Sequence, residues 1–186
     1  MNTTVAPTTK LISGGELLAM GDIGPCELID GRIVMGEPTG FTHSRLEVKL
    51  GKRLDDFVTA RQLGWVGVGE AGIYTSRNPD RVRGADVVFI SRKQSPHEPP
   101  EKFLEVAPEL VVEVMSPDDT WSEVRDKIAE YFAIGVLWAW VVAPKERAVI
   151  AHYPNGDTRK FVESETLRGE GVLTGFSLPV AELFAK

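Results

Sequence analysis

Between Glu109 and Tyr131 the chain reads ELVVEVMSPDDTWSEVRDKIAEY. One interior acid in this stretch limits what the chain can fold into. Leu110, Val111, Val112 and Val114 form a short, β-branched apolar run of the kind that becomes a strand buried on both faces. Glu113 interrupts it. An ionised carboxylate buried without a partner costs several kcal/mol, so this acid must lie near the open end of the strand or meet a cation in a site. Ser116 and Pro117 end the strand, and Asp118, Asp119 or Thr120 can cap a helix behind it. Trp121, Val124, Ile128, Tyr131 and Phe132 then fall on one helical stripe. Lys127 sits at the margin of that stripe, where its stem can cover the core while its ammonium turns to the strand end.

Composition narrows the class. The 186 residues suit one domain, expected over residues 11–186 behind a loose tail at 1–10, and burying roughly 70% of the unfolded surface. With 42% hydrophobic and 26% charged residues the chain reads as soluble and globular. Cys26 is alone, so an internal disulfide is excluded and a reducing, cytoplasmic setting is expected. The longest apolar run, from Val136 to Ala143, is too short to span a bilayer. The polar start lacks the apolar centre of a signal peptide. A formal charge of −6 works against phosphate binding, which needs local cations.

Taken in order, the chain alternates elements that frame this stretch. Ser13 and Glu16 form a capping-box pattern ahead of a short helix. Asp30-Gly31 lies between two apolar runs, the signal for a two-residue hairpin. Glu27, in its first strand, reads most simply as a solvated acid. Thr42 or Ser44 can cap a long helix with Leu46, Leu50, Leu54, Phe57 and Val58 on one face. His43 and Glu47 share a face of that helix, and His43 reads most simply as a polar boundary residue. Gly64 to Thr75 is a glycine-thinned strand, which marks close backbone approach; Glu70 has the parity of Val66 and Val68. Val82 to Ile90 is a strand with one interior acid, Asp86. Residues 92–102, with His97, form a charged, proline-rich surface loop. Strands at 137–143, 147–153 and 158–162 form a meander, and a short helix follows Pro179.

Asp86 and Glu113 thus lie on strands expected to be neighbours, about 4.8 Å apart. Two such acids can share Mg²⁺ or Mn²⁺, held weakly without substrate because waters fill most of the shell. Their carboxylates are expected within roughly 4–6 Å of each other. A metal there can polarise a phosphoryl oxygen and acidify a bound water, with a lysine stabilising charge. The chain has no zinc-type cysteine and histidine cluster, no phosphate-binding glycine loop and no serine elbow.

The segments ELIDGRIV, HSRLEVKL, GADVVFI, PELVVEVMSPDDT, DKIAEYFAIGV and LPVAELF occur in an order that resembles the Uma-two family, described as "putative restriction endonucleases" and placed in the PD-(D/E)XK nuclease superfamily. The resemblance runs from Gly15 to Phe184. It implies an α/β (α+β) fold with a restriction-endonuclease-like core, a central mixed β-sheet flanked by helices, here with an added N-terminal hairpin and a C-terminal β-meander. It also implies Mg²⁺-dependent hydrolysis of phosphodiester bonds in DNA. A homodimer is expected on the base rate of soluble proteins alone. On this pattern Asp86 is the first acid and Glu113 the second; both would be metal ligands. Ala85 stands where the motif has proline. Met115 stands where it has lysine, and a thioether cannot replace an ammonium, so Lys127 is the candidate for a lysine moved to the neighbouring helix. His43 and Glu70 resemble auxiliary positions, with Glu27 a further candidate. The alternative is a catalytically silent relative that binds nucleic acid or a protein partner. Cations lining the acid pocket would favour the enzyme.

Overall fold

The structure, a computed structural model, describes residues 10–99 and 101–185; the tail expected at 1–10 falls almost wholly outside them. The elements run α1 (Gly14–Ala19), β1 (Cys26–Ile29), β2 (Arg32–Met35), α2 (Phe41–Ala60), β3 (Gly64–Ser76), β4 (Arg81–Ser91), β5 (Leu110–Val114), α3 (Trp121–Ala133), β6 (Trp138–Ala143), β7 (Ala148–His152), β8 (Thr158–Val162), β9 (Thr166–Arg168), β10 (Ser177–Pro179) and α4 (Val180–Phe184). Eight strands make one mixed sheet in the order β2-β1-β4-β5-β6-β7-β8, with β3 on the other edge of β4. Only β5 and β6 pair in parallel, because α3 carries the chain back across the sheet between them. The α+β architecture, the added hairpin and the β6-β7-β8 meander are as the sequence predicts.

Each local signal has a visible cause. The β1-β2 hairpin closes through Asp30 and Gly31, both at positive φ (49° and 73°), the twist a two-residue turn requires. Helix α1 begins at the Ser13–Glu16 capping box. The α2 start departs from expectation. It begins at Phe41 behind Gly40, and neither Thr42 nor Ser44 caps it. His43 lies in the first turn, where it is buried rather than a boundary residue.

Two apolar layers sandwich the sheet. Leu46, Leu50, Leu54 and Val58 of α2 pack on Val87, Phe89, Leu110 and Val112. Val124, Ile128 and Tyr131 of α3 pack on Val88, Val111 and Val141 of the opposite face. Strand β5 is therefore buried on both sides along its whole length, as its composition predicts. The glycines of β3 mark close approach: a Cβ at Gly64 would lie 2.0 Å from the Ile90 carbonyl oxygen.

Helix α3 starts at a second capping box, in which the Thr120 side chain accepts from the Glu123 amide and Glu123 accepts from the Thr120 amide. Thr120→Ala is expected to cost about 1 kcal/mol, lowering the melting temperature by about 2–4 °C in a chain of this size. Thermal unfolding beside wild type checks it; no change would mean the cap is not what fixes the helix start.

Candidate active site at the open end of the sheet

Strands β4 and β5 pair through Val87↔Val112, Val88↔Val111 and Phe89↔Leu110. That pairing ends one residue short of Asp86 and Glu113, and both side chains line the same cavity just beyond it. Both are buried, at 6% and 8% exposure. On the other edge of β4, Val68 pairs with Val87 and Ala71 with Ala85, so Gly69 and Glu70 together oppose Asp86. This is a β-bulge, with both residues at positive φ (93° and 57°). The bulge sets Glu70 beside Gly69 opposite a single residue of β4. It brings that side chain to the cavity that Asp86 lines.

Lys127 comes to the same place from α3, two turns after its cap. Its Nζ donates to Glu113 Oε2 at 2.8 Å and lies 3.3 Å from Glu27 Oε1. Tyr131, one helical turn on, donates its hydroxyl to Glu113 Oε1 at 2.9 Å. Sequence periodicity assigned Tyr131 to the core stripe alone and missed this role. Glu27 is not the solvated strand acid of the simplest reading. It accepts from the Arg83 guanidinium at 2.7 Å and from the Gly84 amide at 3.0 Å, and Arg83 in turn grips Glu130 with two nitrogens. Glu27, Glu70, Arg83, Asp86, Glu113 and Lys127 line one cavity of about 340 Å³.

The α2 side supplies a second approach to Asp86. Its Oδ2 accepts from the Val114 amide at 2.6 Å and lies 3.3 Å from His43 Nε2. His43 Nδ1 points towards Glu47 Oε2 at 3.9 Å and is a buried atom with no hydrogen-bond partner. One donor atom from each of His43, Glu47 and Asp86 fits within 4.8 Å of the others. An imidazole with one carboxylate beside each nitrogen, and its Nδ1 unpaired, is a donor set that suits a divalent cation. The i, i+4 spacing of His43 and Glu47 was visible in the sequence. That the pair meets Asp86 depends on how α2 crosses the sheet.

Electrostatics follow from the burial. Desolvation pushes the Glu113 carboxyl up to about 7 against the pull of Lys127, with Asp86 adding to the rise. Burial opposes charge on Lys127 too, but the carboxylates of Glu113 and Glu27 outweigh it and keep the ammonium protonated. Glu47 is raised by burial and by Asp86. In His43 burial favours the neutral ring, yet the hydrogen bond and charge of Asp86 raise its pKa overall.

The cations do not gather here. Of Arg45, Lys49, Lys52, Arg53, Arg81, Arg83, Arg92 and Lys93, only Arg83 lines the acid cavity, and it is paired with Glu27 and Glu130. Lys49, Lys52 and Arg53 sit against α4, and Arg92 lies by Trp65.

No curated protein matches the chain in sequence. Among solved structures, the crystal structure of a "putative nuclease" belonging to DUF820 from Anabaena variabilis matches with a TM-score of 0.80 at 20% identity, covering 93% of this chain and 97% of that one. At that identity the likeness is one of fold. The model of the Uma2 family, described as "Putative restriction endonuclease", matches residues 16–181, a span that holds every side chain of the cavity described above. By that match the chain belongs to the Uma2 family.

Proposed function

We propose that this chain is a metal-dependent endonuclease that hydrolyses phosphodiester bonds in DNA. The observation that carries the reading is the joining of Asp86, Glu113 and Lys127 in one cavity at a strand end, in a chain of a family described as "Putative restriction endonuclease". Asp86 is the central ligand, with Glu113 beside it and His43 and Glu47 on its α2 side. Bound there, Mg²⁺ or Mn²⁺ supplies Lewis acidity to the phosphoryl oxygen and acidity to a coordinated water. The remaining work belongs to the chain. Lys127 holds a positive charge where charge grows on the phosphate. Tyr131 and Lys127 fix both oxygens of Glu113, and Arg83 fixes Glu27 against the lysine. His43 steadies Asp86 from the other side.

The scatter of cations favours a second reading, a catalytically silent relative that binds nucleic acid or a protein partner. Cleavage separates the two. Supercoiled, linear and single-stranded DNA are incubated with and without Mg²⁺ or Mn²⁺, using wild type and Asp86→Asn. We expect cleavage that requires the ion and disappears in the variant. Titration calorimetry without DNA should show weak or undetectable Mg²⁺ binding, since protein oxygens fill only part of an octahedral shell. A tight site unchanged by Asp86→Asn would mean the ligands lie elsewhere. We place the protein in the cytoplasm as a homodimer; among the described residues no helix is long and apolar enough to cross a membrane.

A further inference from the structure

Beside the acid cavity lies a second one of about 470 Å³ with a different character. Phe41, Met115, Trp121 and Pro144 give it apolar walls. Phe41 stands at the first position of α2 with 84% of its surface exposed, an unusual setting for a large aromatic side chain. Met115 occupies the place where the family motif has a lysine, so this wall is apolar where a cation would otherwise stand. The two cavities are neighbours: Asp119 borders both, and His43 borders this one while its Nε2 faces Asp86 in the other. At the rim Lys145 donates to the Pro117 carbonyl at 2.7 Å and makes no ion pair among the described residues.

We propose that this cavity takes an unpaired nucleobase next to the phosphate at Asp86, stacked against Phe41 and Trp121, so that the substrate is a single-stranded or locally opened DNA strand. The inference rests on the nuclease reading above and names its substrate class. Three observations carry it. Asp119 lines both cavities and His43, in the wall of the apolar chamber, reaches Asp86, so a strand placed for cleavage sets its neighbouring base beside that chamber. The chamber presents flat aromatic surface at its mouth, the sequence-tolerant platform on which bases stack. The cations scatter away from the acids, so the phosphate contacts that hold a duplex are few and stacking must supply the affinity.

The test reads binding without chemistry. Fluorescence anisotropy in EDTA compares a labelled single strand of about 12 nucleotides with its blunt duplex. Wild type, Phe41→Ala and Phe41→Trp are measured over a range of salt; the exposure of Phe41 means these variants should fold as wild type does. We expect the single strand to bind roughly tenfold tighter than the duplex, Phe41→Ala to weaken it roughly tenfold, and Phe41→Trp to restore it. The logarithm of affinity should fall only shallowly with the logarithm of salt, with a slope of about −1, equivalent to one or two phosphate contacts. Equal binding of both forms, a single-strand affinity indifferent to Phe41, or no DNA binding at all would overturn the proposal. Cleavage is scored separately in Mg²⁺ and Mn²⁺. Duplex cleavage with binding that ignores Phe41 removes the base chamber and leaves the nuclease standing. Stacking as described with no cleavage of any DNA removes the nuclease and leaves the chamber.

Discussion

Glu113→Gln and Lys127→Met are each expected to slow metal-dependent DNA cleavage by roughly 10²–10³-fold, because each removes charge that stabilises the transition state. Both should leave the melting temperature nearly unchanged or raised. That second half separates a reaction site from a structural ion pair. If Glu113 and Lys127 were only a buried pair, removing one partner would strand the other and cost about 3–5 kcal/mol. The local contacts argue for a smaller loss. Without the Glu113 charge, Lys127 keeps Glu27 at 3.3 Å. Without Lys127, Glu113 keeps the Tyr131 hydroxyl, and a carboxyl already pushed up to about 7 can take a proton instead of remaining a stranded anion. In Glu113→Gln, removing one of the clustered acids also relieves repulsion with Asp86, which offsets part of what is lost. Cleavage rates and melting curves for both variants beside wild type check the prediction. Severe destabilisation with full specific activity in the folded fraction would sink the catalytic assignment. So would cleavage indifferent to both metal and mutation, which is the mark of a contaminant.

How far the site could be read from sequence depended on whether each residue broke a local pattern. Glu113 and Asp86 were legible because each is a lone acid inside an apolar strand, and a buried charge demands an explanation. Lys127 was legible from its place at the edge of the α3 stripe. Glu70 lines the cavity from a bulge opposite Asp86, and no composition signal announces where a bulge falls. Tyr131 fitted the helical period so well that its hydroxyl's partner stayed hidden. Glu47 and His43 could be paired with each other along α2, but their meeting with Asp86 is set by the crossing of helix and sheet, which period alone does not give. Glu27 looked solvated because its partners, Arg83 and Lys127, lie 56 and 100 residues away. The small β9-β10 sheet went unread for another reason: strands of three residues are too short to show alternation.

The burial of Glu113 also gives the protein a pH dependence that does not require it to cut anything. Its carboxyl stands at about 7 in the folded chain against an ordinary 4.5, chiefly because of desolvation. An acid whose folded value is raised holds its proton more tightly in the native state than in the unfolded one. Stability is therefore fullest below about 4.5, falls as pH rises from about 4.5 to about 7, and levels off above that, where both states have released the proton. The difference corresponds to about 3 kcal/mol for this group. His43 and Glu47, both also raised, tilt the wild-type curve in the same direction, so the curve alone cannot assign the effect. Glu113→Gln can, because it removes one titration and leaves the others in place. In EDTA, urea unfolding of wild type and variant from pH 5 to pH 8 should show the variant gaining on wild type by about 2.5 kcal/mol across that range. Parallel curves would mean that Glu113 is ionised throughout, held as a full anion by Lys127 and Tyr131. Adding Mg²⁺ together with a cleavage-resistant DNA strand should then flatten the wild-type curve if Glu113 is a ligand, since a cation bound beside it favours the anion and lowers its pKa. A wild-type slope that ignores the ion and the strand would leave Asp86 with only His43 and Glu47 as its fellow ligands.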